Sequence, residues 1–349
     1  MSVKCGIIGL PNVGKSTIFN IFTKLKVPSL NFPFCTIKPN VGFASVYDDR
    51  LFKLKEIVCP DKLISATVKI VDIAGLVKGA SKGEGLGNNF LSQIREVDAL
   101  IHVVRCFYDE KILHVNNKID PIDDIEIINT ELIFSDIEFC EKQLILIKNS
   151  KNINKENFLE KKNLLEKCIF NLKNFILLRT VKFSHQEKCL MKEFKFLTFK
   201  PTIFLVNFNT FQENKTLLND LKNFLKKNII KFIDPKKFKV SFKNKNSELF
   251  LFSEIINSIY KILNLETFFT VGKKEIKAWP FIKGSNSVET ANIIHSDFGR
   301  GFIRAKVINY FDFIKYKSEN NVKKAGKLRL EGKNYIVKDG DIIHFLFNV

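Results

Sequence analysis

The chain has 349 residues, 45% hydrophobic and 27% charged, a globular composition with room for two or three domains. Fifty-six Lys and Arg against 37 Asp and Glu leave a formal net charge of +19, which favours a polyanionic partner such as RNA. No apolar run approaches the ~20 residues that span a bilayer, no signal peptide is expected ahead of the first strand, and seven cysteines without a C-x-x-C pair fit a reducing, cytoplasmic setting with no disulfide framework and no zinc site.

The first apolar run, residues 4–8, reads as a strand and ends in Gly9-Leu10-Pro11-Asn12-Val13-Gly14-Lys15-Ser16-Thr17. This is G-x-x-x-x-G-K-S/T between a strand and a helix, the setting in which the motif cradles phosphates. The glycines let the backbone N–H groups of Asn12 to Thr17 converge on phosphate oxygens, and the helix opening at Lys15 adds its positive end. Lys15 is expected to reach the β/γ-phosphates and Ser16 to ligate Mg²⁺. The helix is expected to run to about residue 24.

Asn31-Phe32-Pro33-Phe34-Cys35-Thr36 begins a proline-rich loop, where Thr36 is the candidate to meet Mg²⁺ and the γ-phosphate. Residues 67–72 alternate as a strand and end in Asp72-Ile73-Ala74-Gly75. Asp72 is placed to reach Mg²⁺ through water, and Gly75 to donate its N–H to a γ-phosphate. The glycine-rich run 79–88 reads as a switch segment. Residues 99–107 form a continuous apolar run, expected as a buried parallel strand with His102 as a core histidine. His114 lies in a polar stretch, 108–124, expected as a loop, and is a candidate for a role near the nucleotide.

From about residue 124 to 195 the pattern turns helical. One apolar stripe runs through Leu132, Ile133, Ile137, Cys140, Leu144 and Ile147. A second runs through Leu164, Leu165, Cys168, Ile169, Leu172 and Ile176. A polar connection, 149–157, separates them, which predicts an antiparallel helical hairpin. Strand character returns at 201–206 and ends in Asn207, so the hairpin interrupts an α/β domain. Residues 236–245 read as a basic loop and 249–263 as a helix. Beyond 265 come short strands (267–272, 274–279, 302–308), a helix at 288–294 and a turn between apolar runs at 335–347, a separate α+β domain. The expected division is 1–125 and 199–264 for the nucleotide-binding domain, 126–198 for the helical insertion, and 265–349 for the C-terminal domain.

Several of these segments together resemble the YchF-type Obg-like ATPases. They are the phosphate loop 9–16, the loop 31–36, the stretch Asp72 to Asn88, His102-Val103-Val104-Arg105-Cys106-Phe107, and the ending Lys338-Asp339-Gly340-Asp341 with Phe345-Leu346-Phe347-Asn348-Val349. The resemblance covers nearly the whole chain. It implies a P-loop GTPase-like α/β domain, an inserted helical hairpin and a C-terminal TGS domain of β-grasp type. It also implies Mg²⁺-dependent ATP hydrolysis and association with ribosomes, through rRNA of the large subunit, by a monomeric cytoplasmic protein without a membrane partner.

The base and the attacking water are read from departures. Guanine-specific proteins of the wider class carry N-K-x-D, whose Asp binds guanine; here the same place reads Asn207-Phe208-Asn209-Thr210, without a carboxylate. The guanine lock is absent, and the family's usual Glu is also replaced by Thr210. Phe107, Asn207 and Phe208 are the candidate base contacts, the two aromatics by packing on adenine. Leu76 stands where many GTPases have a water-orienting Gln, and the resemblance makes His114 the replacement candidate. The alternatives are a ribosome- or RNA-binding module with a slow nucleotide switch, and a GTPase of relaxed specificity.

Overall fold

The computed structural model describes residues 3–24, 40–73, 86–108, 119–149, 155–208, 215–226, 228–234 and 245–348. The chain divides into two compact units. One comprises Lys4–Ile21 and Ile70–Lys243; the other comprises Met1–Val3, Phe22–Lys69 and Asn244–Val349.

The first unit is built on a parallel sheet. Strands β1 (Lys4–Ile8), β5 (Ala99–Arg105), β6 (Thr202–Asn207) and β7 (Ile229–Ile233) lie side by side in that order, with β4 (Thr67–Asp72) on the other side of β1. The boundary between the units falls within β4, between Lys69 and Ile70. β1 pairs with β5 from Cys5↔Ala99 to Ile8↔His102, and β5 with β6 from Leu100↔Thr202 to Arg105↔Asn207. Every residue of β5 and β6 is buried. Burial on both faces is why these strands read as unbroken apolar runs. Among the described residues, helices α1 (Lys15–Lys24, which crosses into the second unit after Ile21), α3 (Leu86–Arg95) and α7 (Lys215–Leu225) carry the chain between strands.

The hairpin follows β5. Helix α4 (Pro121–Asn149) and helix α5 (Lys155–Lys173) share a core that includes Ile133, Cys140 and Ile147 from one and Leu164, Leu165, Cys168 and Leu172 from the other. These belong to the two predicted stripes. Two expectations are corrected. The polar stretch ending at residue 124 does not stay a loop to its end, because α4 starts at Pro121. Asp120 acts as its cap, accepting from the Asp123 N–H at 3.2 Å, and a proline at the first helical position sacrifices no hydrogen bond. The helical pattern toward residue 195 is also broken. A short 3₁₀ turn, Leu178–Thr180, intervenes before α6 (His185–Phe194) opens on a capping box of Ser184 and Glu187. Met191 and Phe194 of α6 close the hairpin core.

The second unit holds a mixed sheet in the order β11-β10-β12-β8-β9-β3. The long pair is β8 (Leu265–Val271) with β9 (Glu275–Ile282), antiparallel from Leu265↔Ile282 to Val271↔Ile276. β10 (Phe302–Ile308) pairs antiparallel with β11 (Arg329–Glu331) and with β12 (Ile342–Phe347). Phe268, Phe281, Phe302, Val307 and Phe345 form the core beneath helix Ser287–Ile294. The early strand β3 (Lys62–Ile64) joins the far edge in parallel with β9, Lys62↔Glu275 to Ile64↔Lys277. The strand expected over 274–279 runs on through Pro280 to Ile282. The proline is tolerated because β3 covers only residues 275–277, leaving Pro280 paired to β8 alone among the described residues. The helix at 49–58, α2 (Asp49–Val58), belongs to the same unit. Its Arg50 binds Asp48 and, at 2.7 Å, Asp339.

His102 is 2% exposed in β5, its ring 5.3 Å from that of Phe204. Burial, with Arg179 and Lys15 adding repulsion, pulls its imidazole down to about 3, so it is neutral in the fold. Its unfolded value is near 6.5, so the stability that neutrality contributes is complete above that pH and is lost as pH falls toward 3. Urea unfolding at pH 7 and pH 5 tests this. The wild type is expected to lose about 2 kcal/mol more than His102→Gln between the two. Equal losses would show that His102 does not carry the acid sensitivity.

Candidate nucleotide site

The site sits where β1 turns into α1. Gly9 has φ 154°, Asn12 φ 62° and Gly14 φ 99°, so the loop curls through backbone conformations that side chains oppose. A Cβ on Gly9 would lie 2.7 Å from the Val103 carbonyl oxygen, and one on Gly14 would lie 2.5 Å from Asn207 Nδ2. Ile18 N–H then donates to the Gly14 carbonyl at 3.0 Å and the helix is under way. The first N–H groups of α1 have no partner within the helix and point at the loop's hollow, an anion site by construction. Asn12, Val13, Gly14, Lys15, Ser16 and Thr17, nominated from the sequence, follow one another through this turn.

Lys15 is 8% exposed, and its Nζ donates to the Leu10 carbonyl at 2.8 Å. The ammonium lies across its own loop. Burial pulls it down to about 8, while the carboxylate of Asp72 acts the other way. Ser16 Oγ donates to Asp72 Oδ2 at 2.9 Å. The structure therefore brings together the hydroxyl and the carboxylate that the sequence nominated for a metal. Both are hard oxygen donors at the end of β4 and the start of α1, a set that suits Mg²⁺.

Asn207 ends β6 beside the loop. Its Nδ2 donates to the Val13 carbonyl at 2.9 Å, and its Oδ1 is buried without a partner. The amide cannot turn round, because that would set Oδ1 against the Val13 carbonyl oxygen. An acceptor is thus held in place next to the phosphate loop with no donor among the described residues. The two candidate aromatics lie deeper. Phe107 is buried, with the Arg105 guanidinium 4.6 Å from its ring centre and Arg105 Nε donating to its carbonyl at 3.2 Å. Phe208 is buried in the cluster with Leu218, Leu221 and Leu225, its ring edge-on to Phe232. Thr36, Gly75, Leu76, His114 and Thr210 lie outside the described residues.

The pairing of Asn207 with Val13 and the resting place of Lys15 on Leu10 left no mark in the sequence. Residues 13 and 207 are joined only by the sheet, and a backbone carbonyl has no residue code.

A phosphate loop between the first strand and helix of a parallel sheet, with its lysine and a hydroxyl–carboxylate pair, defines a P-loop nucleotide-binding protein. Residues 4–149 match a family described as 50S ribosome-binding GTPase, and residues 265–348 match the family YchF-GTPase_C, described as a protein of unknown function. The chain is 51% identical to the ribosome-binding ATPase YchF of Buchnera aphidicola subsp. Schizaphis graminum and 45% identical to that of Escherichia coli O157:H7, in each case across all of both chains. The solved structure of the Schizosaccharomyces pombe YchF GTPase is 34% identical, covers 99% of this chain and 98% of its own, and superposes with a TM-score of 0.83. The chain belongs to the YchF family.

Gly14→Ala puts a methyl into the Asn207 amide at a positive φ. Titration with a fluorescent ATP analogue is expected to show an affinity lower by about tenfold or more. An unchanged affinity would mean that the Asn207–loop contact is not part of the binding-competent form.

Proposed function

We propose that this protein is a Mg²⁺-dependent ATP hydrolase that binds ribosomes and couples the nucleotide to a translation- or stress-related switch. The observation that carries the choice of base is the buried, unpartnered Oδ1 of Asn207. A fixed acceptor wants a donor, and leaving one unmet in a closed site costs about 1–3 kcal/mol. Adenine offers an exocyclic amine where guanine offers a carbonyl. The absence of a carboxylate at Thr210 removes guanine's usual partner. The relatives' names divide between ATPase and GTPase, and this chain's own site favours adenine.

The mechanism combines the phosphate loop with the residues nominated from the sequence. The N–H groups of Asn12 to Thr17 bind the phosphates. Lys15 leaves the Leu10 carbonyl for the β/γ-oxygens, where its charge opposes the charge that builds up as the terminal P–O bond breaks. Ser16, Thr36 and Asp72 would hold Mg²⁺, which would supply Lewis acidity to the phosphoryl group being transferred. Gly75 offers its N–H to the γ-phosphate. Leu76 cannot orient water, so His114 takes that part. Phe107 and Phe208 give the base a hydrophobic support from below.

The net charge of +19 supports a ribosomal partner met through rRNA of the large subunit, in keeping with the relatives called ribosome-binding. No described helix is long and apolar enough to cross a membrane. The protein works as a cytoplasmic monomer, with the insertion 126–198 and the TGS domain 265–349 presenting the contact surfaces.

Binding and phosphate release with ATP and GTP side by side test the base assignment: ATP is expected to bind more tightly and turn over faster, and a clear preference for GTP would sink it. His114→Ala is expected to lower turnover about a hundredfold with ATP affinity kept. Unchanged turnover takes the residue out of the mechanism. Co-sedimentation with ribosomes is expected to weaken steeply with salt. A chain that stays in the supernatant at low salt is not a ribosome-binding protein.

A further inference from the structure

Beyond the nucleotide site, the first unit contains a second concentration of buried charge, at the foot of the hairpin. Its centre is Asp136 on α4, whose carboxylate is fully buried. Oδ1 accepts from the Leu197 N–H at 3.0 Å; Oδ2 accepts from the Thr198 N–H at 2.8 Å and from Thr198 Oγ1 at 2.7 Å. The returning segment 197–200 is thereby pinned to the hairpin. Two residues on, Lys200 Nζ donates to the carbonyls of Arg95 and Val97. The same short segment therefore also holds the end of α3.

Arg95 closes the arrangement from the other side. It is the last residue of α3, and α3 follows in sequence on the segment carrying Asp72 and Gly75. Its guanidinium lies 4.5 Å from the ring centre of Phe139, and Nη2 donates to Ser135 Oγ at 3.3 Å. Ser135, Asp136 and Phe139 all belong to α4. The arginine thus grips the hairpin by a ring, a hydroxyl and a nearby carboxylate.

The grip is incomplete. Nη2 is 4.0 Å from Asp136 Oδ1, too far for a hydrogen bond, and Nη1 is buried with no partner among the described residues. An unmet guanidinium donor is unfavourable, so this setting of the fork is not locked. Closing the pair to the ~2.8 Å of a charge-assisted bond needs a movement of only about 1 Å. Helix shifts of that size are what a switch segment delivers when a γ-phosphate comes or goes.

We propose that Arg95 is a positioning residue that couples the nucleotide site to the hairpin, with a shift of α3 making or breaking the Arg95–Asp136 bond as the nucleotide changes. The proposal rests on the reading of the first site as an ATP site. In one arrangement the ion pair is open, as here, and the hairpin foot is held by Thr198 and Leu197. In the other, Arg95 competes for Oδ1, and the Leu197 N–H loses part of its acceptor. The hairpin then changes its hold on the return strand that leads to Asn207. Ligand at the phosphate loop and partner on the hairpin each bias this one element, so each alters the other's affinity by the same factor.

Amide hydrogen exchange at Leu197 and Thr198, in the full chain saturated with Mg²⁺ and either ADP or a non-hydrolysable ATP analogue, tests this. The wild type is expected to exchange at rates that differ about fivefold or more between the two nucleotides. Arg95→Met keeps an unbranched apolar chain of similar reach but removes the fork. It is expected to abolish the difference while leaving affinity for both nucleotides within about twofold. Ser135→Ala, a milder change that frees Nη2, is expected to reduce the difference and covers the case in which Arg95→Met folds poorly. Equal exchange in the two nucleotides, or a difference that survives both substitutions, overturns the coupling alone. A chain that binds neither nucleotide overturns the coupling together with the reading beneath it.

Discussion

One side-chain amide ties the nucleotide site together. Asn207 stands at the end of β6, donates to the Val13 carbonyl, and packs so close to Gly14 that no Cβ fits between them. The phosphate loop is therefore buttressed by a residue nearly two hundred positions away. Parallel strands end in loops on the same edge, so the ends of β1, β4 and β6 necessarily meet. That edge collects the neighbours Lys15 and Ser16 with Asp72 and Asn207, which are far from them and from each other in sequence. The same contact spends the amide's donor and leaves its acceptor unmet among the described residues.

Buried charge recurs in this unit, and each instance is satisfied differently. Lys15 rests on a backbone carbonyl that it can leave. His102 is buried neutral. Asp136 stays in the core because two backbone N–H groups and a hydroxyl surround it, while burial still raises its affinity for a proton. Arg95, whose Nη2 lies 4.0 Å from that carboxylate, keeps Nη1 buried and unmet among the described residues. A fully satisfied network would rigidify the hairpin foot; one with a single near-miss can adopt two arrangements at similar free energy.

Legibility followed the range of the interaction. The phosphate loop, β4, β5, β6 and both hairpin stripes were readable because periodicity and local motifs report on neighbours. Residues 121–123 read as the end of a polar loop, but a proline just after an aspartate is also how a helix begins. β3 was not seen at all. Three residues carry too little pattern, and its partner is β9, contributed from the far end of the chain.

The sequence by itself determined that a strand, a glycine loop and a helix would hold phosphate, that a long helical hairpin interrupts the sheet, and which family's segments these are. Those facts depend on local steric and hydrophobic patterns written in consecutive residues. Only the tertiary structure decided that Asn207 braces the loop with its acceptor left over, that Lys15 lies on Leu10, and that Arg95 stops about 1 Å short of a hydrogen bond to Asp136. Those are distances between residues that the chain brings together only on folding, and no spacing along it encodes them.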